Sequence, residues 1–211
     1  MKRIAVTQRV YENSSFAERR DALDQKWVKF LMSVDLLPVL LPNQLDCAQK
    51  LIKENQIDGV LLTGGNSLVR YGGDAPERDK LESFLLEWAM GENIPLLGVC
   101  RGMQVIQEYF GNDLEAVSNH VDKRHALRVE EGCRMSYVVK SLPDVNAYHD
   151  FGARKVSGEL ISVATSLDGV VMAVEHHEQP VFGVMWHSER EDPFREEEKD
   201  LFREIFFANP I

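Results

Sequence analysis

The sequence predicts an α/β protein with a mainly parallel, doubly wound central sheet and extra strands in its second half. In the first half, short apolar segments alternate with longer segments whose apolar residues recur at helical spacing. Alternation of this kind is typical of a parallel sheet covered by helices. In the second half, several short apolar segments follow one another with few helices between them. No repeat or linker interrupts the pattern, so we expect a single domain over residues 1–211.

Strands and helices alternate up to the centre of the chain. The predicted strands cover residues 3–9, 36–42, 57–65 and 96–99, and the predicted helices cover residues 23–34, 45–54, 78–90 and 101–110. The first helix, for example, carries Trp27, Phe30 and Leu31 on one side. Pro95 marks the start of the fourth strand, and Gly111 is placed to end the helix that follows it.

The second half is richer in strands. Apolar and β-branched segments predict strands over residues 127–130, 136–140, 161–165, 170–175 and 181–186, followed by a last helix over residues 195–207. Leu201, Ile205 and Phe206 give that helix its apolar side. We expect these strands to extend the sheet that the first half begins.

Cys100 lies at the turn between the predicted strand 96–99 and the helix that begins at Arg101. Gly98 and Gly102 flank it, and small residues there let the backbone turn sharply and approach a neighbour closely. A helix N-terminus favours the thiolate form of a cysteine, and the thiolate is the nucleophile. The alternative is a small buried apolar residue, which is the commoner role of cysteine. The flanking glycines favour the nucleophile.

Composition and charge limit the classes of partner. Hydrophobic residues make up 44% of the chain and charged residues 27%, as in an ordinary globular protein. The formal net charge of -10 argues against a nucleic acid or an anionic membrane, because both require a basic face. No apolar segment approaches the ~20 residues that cross a bilayer, and no signal sequence is visible. Three cysteines without framework spacing predict no disulfide scaffold, so we expect a cytoplasmic protein.

The third strand ends in a glycine pair, Gly64 and Gly65. In an open parallel sheet, ligands bind beyond the carboxyl ends of the strands. This pair can present backbone N–H groups to a developing oxyanion, with the N–H of Arg101 as the second donor. The alternative is an ordinary tight turn, and the glycine pair alone does not exclude it.

A late strand ends at His187, and Glu189 follows two residues later. The carboxylate can orient one ring nitrogen of His187 while the other nitrogen faces the thiol of Cys100. A lone histidine is more often structural, but this pair follows a strand in the same predicted sheet as the strand–Cys–helix turn. The three residues therefore predict a nucleophile, a base and the group that orients it.

The other histidines do not predict a metal site. His120 and His125 lie among charged residues, in what we expect to be a solvated loop. The sequence has neither a CxxC nor an HExxH pattern. A phosphatase loop at Cys100 is excluded because no arginine lies at the required distance. We therefore expect neither a metal nor another cofactor.

Several motifs together resemble a known family. They are the segment 98–104 (Gly-Val-Cys-Arg-Gly-Met-Gln), the upstream pair Gly64-Gly65 and the downstream segment 186–189 (Trp-His-Ser-Glu). In this order they resemble the class I glutamine amidotransferase-like hydrolases, and most closely the γ-glutamyl-γ-aminobutyrate hydrolases of the C26 peptidase type. The segments 4–9 and 145–149 also resemble that branch, so the resemblance covers nearly the whole chain.

The resemblance implies a role for each matching residue. Cys100 would be the nucleophile, His187 the base and then the acid, and Glu189 the residue that orients His187. The backbone N–H groups of Gly65 and Arg101 would form the oxyanion hole. The residues implied in substrate binding are Gly64, Gln104, Tyr148 and His149.

Two positions depart from the family pattern. Ser188 replaces the usual proline between the His and the Glu, which should loosen the local backbone without changing the spacing. Asp150 follows His149 where Asn or Gln is commoner, which affects the expected choice of leaving group.

Three arginines near strand ends are candidates to bind an anionic leaving group. They are Arg70, Arg78 and Arg101. The alternative for each is a surface charge, which is the commoner role of arginine.

The implied reaction is hydrolysis of a small-molecule γ-glutamyl amide through a thioester, with release of glutamate. The segment 186–194 most resembles the γ-glutamyl-CDP-amidate hydrolases encoded with bacterial surface-polysaccharide genes, which release cytidine diphosphoramidate for capsule modification. The alternatives are a γ-glutamyl-γ-aminobutyrate hydrolase of polyamine catabolism, a glutaminase subunit that feeds ammonia to a partner synthase, and a non-catalytic sensor. The intact Cys, His and Glu set argues against the sensor.

Overall fold

The structure is a computed structural model that describes residues 1–208. In chain order, its strands are β1 (Lys2–Val6), β2 (Arg9–Asn13), β3 (Glu18–Ala22), β4 (Leu36–Leu40), β5 (Gly59–Leu62), β6 (Leu96–Val99), β7 (Glu115–Ala116), β8 (Val121–His125), β9 (Leu127–Val129), β10 (Val145–Tyr148), β11 (Phe151–Gly152), β12 (Leu160–Ser166), β13 (Val171–His176) and β14 (Val181–Val184). Its helices are α1 (Gln25–Met32), α2 (Leu45–Asn55), α3 (Pro76–Gly91), α4 (Arg101–Tyr109), α5 (Ser136–Lys140) and α6 (Glu196–Phe207).

The centre of the fold is an eight-stranded sheet in the order β4-β1-β5-β6-β14-β13-β12-β9. The first five of these strands run parallel. The last three continue the sheet as antiparallel strands from the second half of the chain. The predicted mainly parallel α/β sheet with extra strands is therefore confirmed. β5, β6 and β14 are buried along their whole length, as expected of strands covered on both faces.

The helices form two groups. Right-handed crossovers place α1 on one face of the sheet and α2 and α3 on the other, because the chain moves outward from β1 to β4 and then back to β5 and β6. α1 packs against α6, with the ring centroids of Phe30 and Phe202 4.7 Å apart. α3 contacts both α2 and α4. Over residues 1–208, none of the helices combines the length and apolar composition needed to span a bilayer.

A polar hairpin follows β1 and was not predicted. The predicted strand 3–9 is wrong beyond Val6, because the chain turns there and Arg9 begins β2. β2 and β3 pair antiparallel, and within the two strands Val10 alone is buried. Such strands show no apolar alternation in the sequence. A Cβ atom built on Gly65 would lie 3.3 Å from Nε of Arg9, so the hairpin borders the glycine pair.

The predicted strand 136–140 is wrong, because these residues form α5. The β-branched pair Val138 and Val139 suggested a strand. The buried apolar residues around it, however, are Met135, Val138, Val139 and Leu142. Their spacing of three, one and three residues is that of a helix face.

Three neighbouring parallel strands end at the same edge of the sheet. β6 lies between β5 and β14 and is parallel to both. Gly64 follows β5, Cys100 follows β6 and His187 follows β14. The chemically marked strand ends are therefore brought together, as predicted for a parallel sheet.

Candidate active site

Cys100 occupies the sharp turn between β6 and α4. Its φ is 54° and its ψ is -106°, which is a strained backbone conformation for a residue with a side chain. Its N–H donates to the carbonyl of Val184 at 2.7 Å, and this bond joins the turn to β14. Cys100 is 7% exposed and lines a cavity. The turn therefore presents the thiol at the carboxyl edge of the sheet.

The glycines on either side of Cys100 are needed for close packing. A Cβ atom on Gly98 would lie 2.5 Å from the backbone of Gly102. A Cβ atom on Gly102 would in turn overlap the carbonyl oxygen of Leu62 in β5. Side chains at these positions would force α4 away from the sheet, so the predicted reason for the glycines agrees with the structure.

His187 and Glu189 are both buried and face each other. Nδ1 of His187 lies 2.7 Å from Oε1 of Glu189, where the carboxylate accepts the Nδ1 hydrogen and leaves Nε2 free to exchange a proton. The imidazole and Cys100 both border Gly64. A Cβ atom on Gly64 would lie 2.7 Å from Cε1 of His187 and 3.5 Å from Cβ of Cys100. Glycine at this position therefore leaves room for the imidazole beside the thiol.

Burial and charge act in opposite directions on His187. Burial is the largest effect and lowers the pKa of the imidazole. The charges of the Cys100 thiolate and of Glu189, with the hydrogen bonds from both, outweigh burial and raise this pKa to about 9. An imidazolium beside a thiolate is therefore the favoured state at neutral pH.

Ser188 is held firmly between His187 and Glu189. Its hydroxyl donates to Oε2 of Glu198 in α6 at 2.6 Å, and Nε1 of Trp186 donates to the same oxygen at 3.0 Å. Burial raises the pKa of Glu198 to about 7, although these two hydrogen bonds lower it. The expected loosening of the backbone at Ser188 is therefore wrong, because the hydroxyl supplies an anchor that proline would lack.

Asn146 braces the backbone of His187 and was not predicted as a site residue. Its Oδ1 accepts from the N–H of His187 at 2.9 Å, and its Nδ2 donates to the carbonyl of His187 at 2.9 Å. Nδ2 also donates to Glu191 at 2.9 Å. Asn146 lies in the segment 145–149 that carried part of the family resemblance, and an alignment would have been the signal to find it.

The N–H groups of Gly65 and Arg101 are available as donors. Arg101 is the first residue of α4, where an N–H group has no partner within the helix. Among residues 1–208, neither N–H donates a backbone hydrogen bond. Gly65 has a φ of 85°, which a residue with a side chain rarely adopts.

A buried ionic network supports both of these backbone segments. Nη2 of Arg78 donates to the carbonyls of Thr63 at 2.7 Å and Gly64 at 3.1 Å, and Nη1 donates to the carbonyl of Gly65. Nε of Arg78 pairs with Glu82 at 2.9 Å. The other oxygen of Glu82 pairs with the guanidinium of Arg101.

Arg78 and Arg101 therefore cannot bind a leaving group through their side chains, and the expectation of that role is wrong for both. Both are buried, and Arg101 also pairs with Asp79. Burial lowers the pKa of both guanidinium groups to about 9, so both remain cationic at neutral pH. They are not surface charges either. Arg70 is exposed, and it pairs with Asp113 at 2.7 Å.

The residues predicted to bind substrate meet around one cavity of about 250 Å³. Cys100, Gln104, Tyr148 and His149 all line it. Nε2 of Gln104 and Nδ1 of His149 both lie 3.0 Å from the carbonyl of Phe151, where each can donate. Burial, followed by the charge of His120, lowers the pKa of His149 to about 4, so this ring is neutral. Gly64 borders the imidazole of His187 instead of this cavity.

His120 and His125 do not form the predicted solvated loop. His120 is fully buried and lies 3.1 Å from Asp168, and its ring stacks on that of His125 with 4.1 Å between the centroids. Ligand atoms of His120, His125 and Asp168 lie within 4.8 Å of one another. The stacked rings do not favour a shared metal, because an ion between them would lie far out of the plane of at least one ring.

The geometry suits acyl transfer. A thiol on a strained turn, an imidazole oriented by a carboxylate, and two unpaired N–H groups lie at one edge of the sheet. These are the parts that a cysteine hydrolase needs.

The family model for peptidase C26 matches residues 4–189. The chain belongs to the peptidase C26 family. The match covers all of the strand ends described above and supports assignment of the chain as a hydrolase.

Two relatives carry the names of γ-glutamyl hydrolases. The chain is 32% identical to γ-glutamyl-CDP-amidate hydrolase of Campylobacter jejuni over 195 residues, which cover 90% of each chain. It is also 32% identical to γ-glutamyl-γ-aminobutyrate hydrolase of Escherichia coli O157:H7 over 200 residues, which cover 79% of this chain and 78% of the relative. The recognition of the glutamine amidotransferase-like C26 family from the motifs is therefore confirmed.

A solved structure shares the fold. It is the crystal structure of a GMP synthase component from Thermoplasma acidophilum, with a TM-score of 0.73 and 18% sequence identity. The match covers 98% of this chain and 93% of that chain. At this identity the likeness concerns the fold alone.

We expect His187 to titrate with a pKa of about 9 in the intact protein, and at lower values in Glu189→Gln and Cys100→Ala. Each substitution removes a negative charge that favours the imidazolium, while the burial that lowers the pKa remains. NMR titration of the imidazole measures this without substrate. Glu178→Gln, which changes an exposed carboxylate outside the site, is the control and should leave His187 unchanged. Equal titration of His187 in all four proteins would contradict the described coupling.

Proposed function

We propose that this chain is a cysteine-dependent hydrolase that cleaves the γ-glutamyl amide bond of a small molecule. The observation that carries the proposal is the meeting of three groups at one sheet edge: Cys100 on its strained turn, and His187 held by Glu189. Family membership and the names of the two relatives supply the γ-glutamyl substrate class.

In the proposed mechanism, the Cys100 thiolate attacks the γ-carbonyl carbon of the glutamyl group. The carbonyl oxygen becomes an oxyanion, which the N–H groups of Gly65 and Arg101 stabilise. The imidazolium of His187 donates its proton to the leaving nitrogen as the C–N bond breaks, and a glutamyl thioester remains. His187 then accepts a proton from water, which attacks the thioester and releases glutamate. No other reactant is needed.

The cavity of about 250 Å³ is the proposed glutamyl pocket. Gln104 lines it and spends its Nε2 group on Phe151, so its Oε1 is left as an acceptor for the α-ammonium group of the substrate. His149 holds the same carbonyl of Phe151 and contributes its ring to the wall. Tyr148 lies edge-on to His187, with 5.9 Å between the ring centroids, and covers the junction of pocket and imidazole.

Arg78 is the proposed positioning residue for the oxyanion hole. In a trans peptide the C=O and N–H groups point in opposite directions. The bond from Arg78 to the carbonyl of Gly64 therefore turns the N–H of Gly65, in the same peptide, away from Arg78. Through Glu82 and Arg101, the same network ties this peptide to the first turn of α4, which supplies the second donor.

The specific substrate we propose is γ-glutamyl-CDP-amidate, giving glutamate and cytidine diphosphoramidate in capsular polysaccharide modification. The similarity to the Campylobacter jejuni enzyme over 90% of each chain supports this choice. The Escherichia coli relative favours γ-glutamyl-γ-aminobutyrate as a second candidate, and its match covers 79% of this chain.

A substrate panel tests the proposal. Glutamate release is measured with γ-glutamyl-CDP-amidate, γ-glutamyl-γ-aminobutyrate, a γ-glutamyl dipeptide and glutamine. We expect release from a conjugate but not from glutamine, and Cys100→Ala should bind the conjugate but lose about four orders of magnitude in turnover, as loss of a triad nucleophile does. Cys133→Ala, which removes a cysteine that does not line the cavity, is the matched control and should stay active.

Three outcomes would contradict the proposal. Full activity in Cys100→Ala would exclude the mechanism. Ammonia release from glutamine only in the presence of a synthase would identify a glutaminase subunit. Binding of a conjugate without turnover in the wild type would identify a sensor.

Arg78→Lys tests the positioning role. Lysine keeps the charge but cannot reach three carbonyls and Glu82 together, so we expect kcat to fall by about 10²-fold, as in the loss of one oxyanion donor, with little change in KM. Arg19→Lys, at an exposed arginine paired with Glu77, is the control. A rise in KM at unchanged kcat would place Arg78 in substrate binding instead.

A further inference from the structure

A second hollow lies beside the glutamyl pocket. It has a volume of about 80 Å³. His187 and Gly64 line this hollow, whereas Cys100 and Gln104 line the larger cavity, and Gly65 borders both. The acid and the nucleophile of the proposed reaction therefore open onto different spaces that meet at Gly65.

This division indicates where the leaving group lies, if the proposed function is correct. The glutamyl carbon must contact Cys100, and the leaving nitrogen must be within hydrogen-bonding reach of His187. A substrate that fills the larger cavity with its glutamyl group therefore extends its leaving group into the hollow beside His187.

Arg9 lines this hollow as an exposed cation. Its side chain packs over Gly65, where a Cβ atom would lie 3.3 Å from its Nε. In the described part of the chain, the Arg9 side chain forms neither an ion pair nor a hydrogen bond. Two other arginines of the same hairpin differ in this respect, because Arg19 pairs with Glu77 and Arg20 with Glu18.

Arg190 is the second cation on the hollow. Its guanidinium lies 4.3 Å over the ring of Tyr148, and its Nε is 3.7 Å from Oε1 of Glu189. That oxygen is already bound to His187. The remaining acidic residue on the hollow, Asp24, accepts from the N–H of Lys26 and caps α1.

We propose that Arg9 and Arg190 form a leaving-group subsite for a phosphoryl group bonded directly to the leaving nitrogen. Guanidinium groups match phosphate oxygens in geometry and charge. The hollow adjoins His187 itself, so an anion there must be attached at the scissile nitrogen. A carboxylate at the end of a three-carbon chain would lie beyond the hollow. Arg9 and Arg190 thereby replace Arg70, Arg78 and Arg101 as the candidates for this role.

The test compares two substrates in wild type, Arg9→Gln, Arg190→Gln and Arg20→Gln. One substrate, γ-glutamyl-CDP-amidate, has a phosphoryl leaving group, and the other, γ-glutamyl anilide, has a neutral one. We expect the ratio of kcat/KM for the phosphoryl over the neutral substrate to fall about tenfold or more in Arg9→Gln and in Arg190→Gln, because each loses charge-assisted hydrogen bonds. Arg20→Gln lies on the same hairpin but away from the hollow, and should keep the wild-type ratio.

Inhibition of anilide hydrolysis by pyrophosphate gives a second readout. We expect competitive inhibition of the wild type and inhibition weaker by a similar factor in the two arginine variants. An unchanged substrate ratio, or equal inhibition of Arg9→Gln and wild type, would overturn the subsite. Wild-type hydrolysis of the anilide alone would overturn the subsite and leave the γ-glutamyl hydrolase standing. Equal dependence on Arg9 for γ-glutamyl-γ-aminobutyrate would assign the arginines to a carboxylate. Hydrolysis of neither substrate would overturn the proposed function as well.

Discussion

The close approach of α4 to β5 and β6 is the constraint on which the rest of the site depends. Cys100 must turn the chain through a φ of 54° within one residue, and this costs about 1–3 kcal/mol. Gly98 and Gly102 let the helix sit directly on the strands, and the bond from the N–H of Cys100 to Val184 fixes the turn against β14. Because β14 leads into His187, the same packing sets the position of the thiol relative to the imidazole.

Buried charge is the second feature of the design. Buried ion pairs seldom add to stability, because desolvation offsets much of their attraction. The pairs of Arg78 and Arg101 with Glu82 instead hold the carbonyls after β5 and the start of α4 in one geometry. Glu189 and Glu198 act in the same way on the His187 segment, one on the ring and the other through Ser188. The proposed catalytic groups thus rest on buried polar contacts and not on loops.

The sequence was informative where structure and chemistry coincide in short segments. The parallel sheet and the strand ends at Cys100 and His187 followed from apolar segments, glycines and residue type. The hairpin that begins at Arg9 could not be predicted, because its strands are polar and its role depends on a contact with Gly65 from a distant segment. α5 was missed because its apolar spacing becomes visible only when Met135 and Leu142 are included.

The long-range polar contacts were also beyond the sequence. Arg78 was interpreted as a surface charge or a ligand for an anion because a single sequence does not show which carbonyls it meets. Asn146 and Glu198 act on His187 and Ser188 from other elements, and only the folded chain brings them together. Contacts between distant residues therefore set the geometry of a site whose residue types the sequence could suggest.

The central claim is that Cys100 carries the glutamyl group during turnover. Acid-quenched reactions of the wild type with γ-glutamyl-CDP-amidate, analysed by intact-protein mass spectrometry and peptide mapping, test it most directly. The account predicts a transient glutamyl adduct on Cys100, with Cys47 and Cys133 unmodified and no adduct in Cys100→Ala. An adduct on another residue, or turnover in Cys100→Ala, would contradict it.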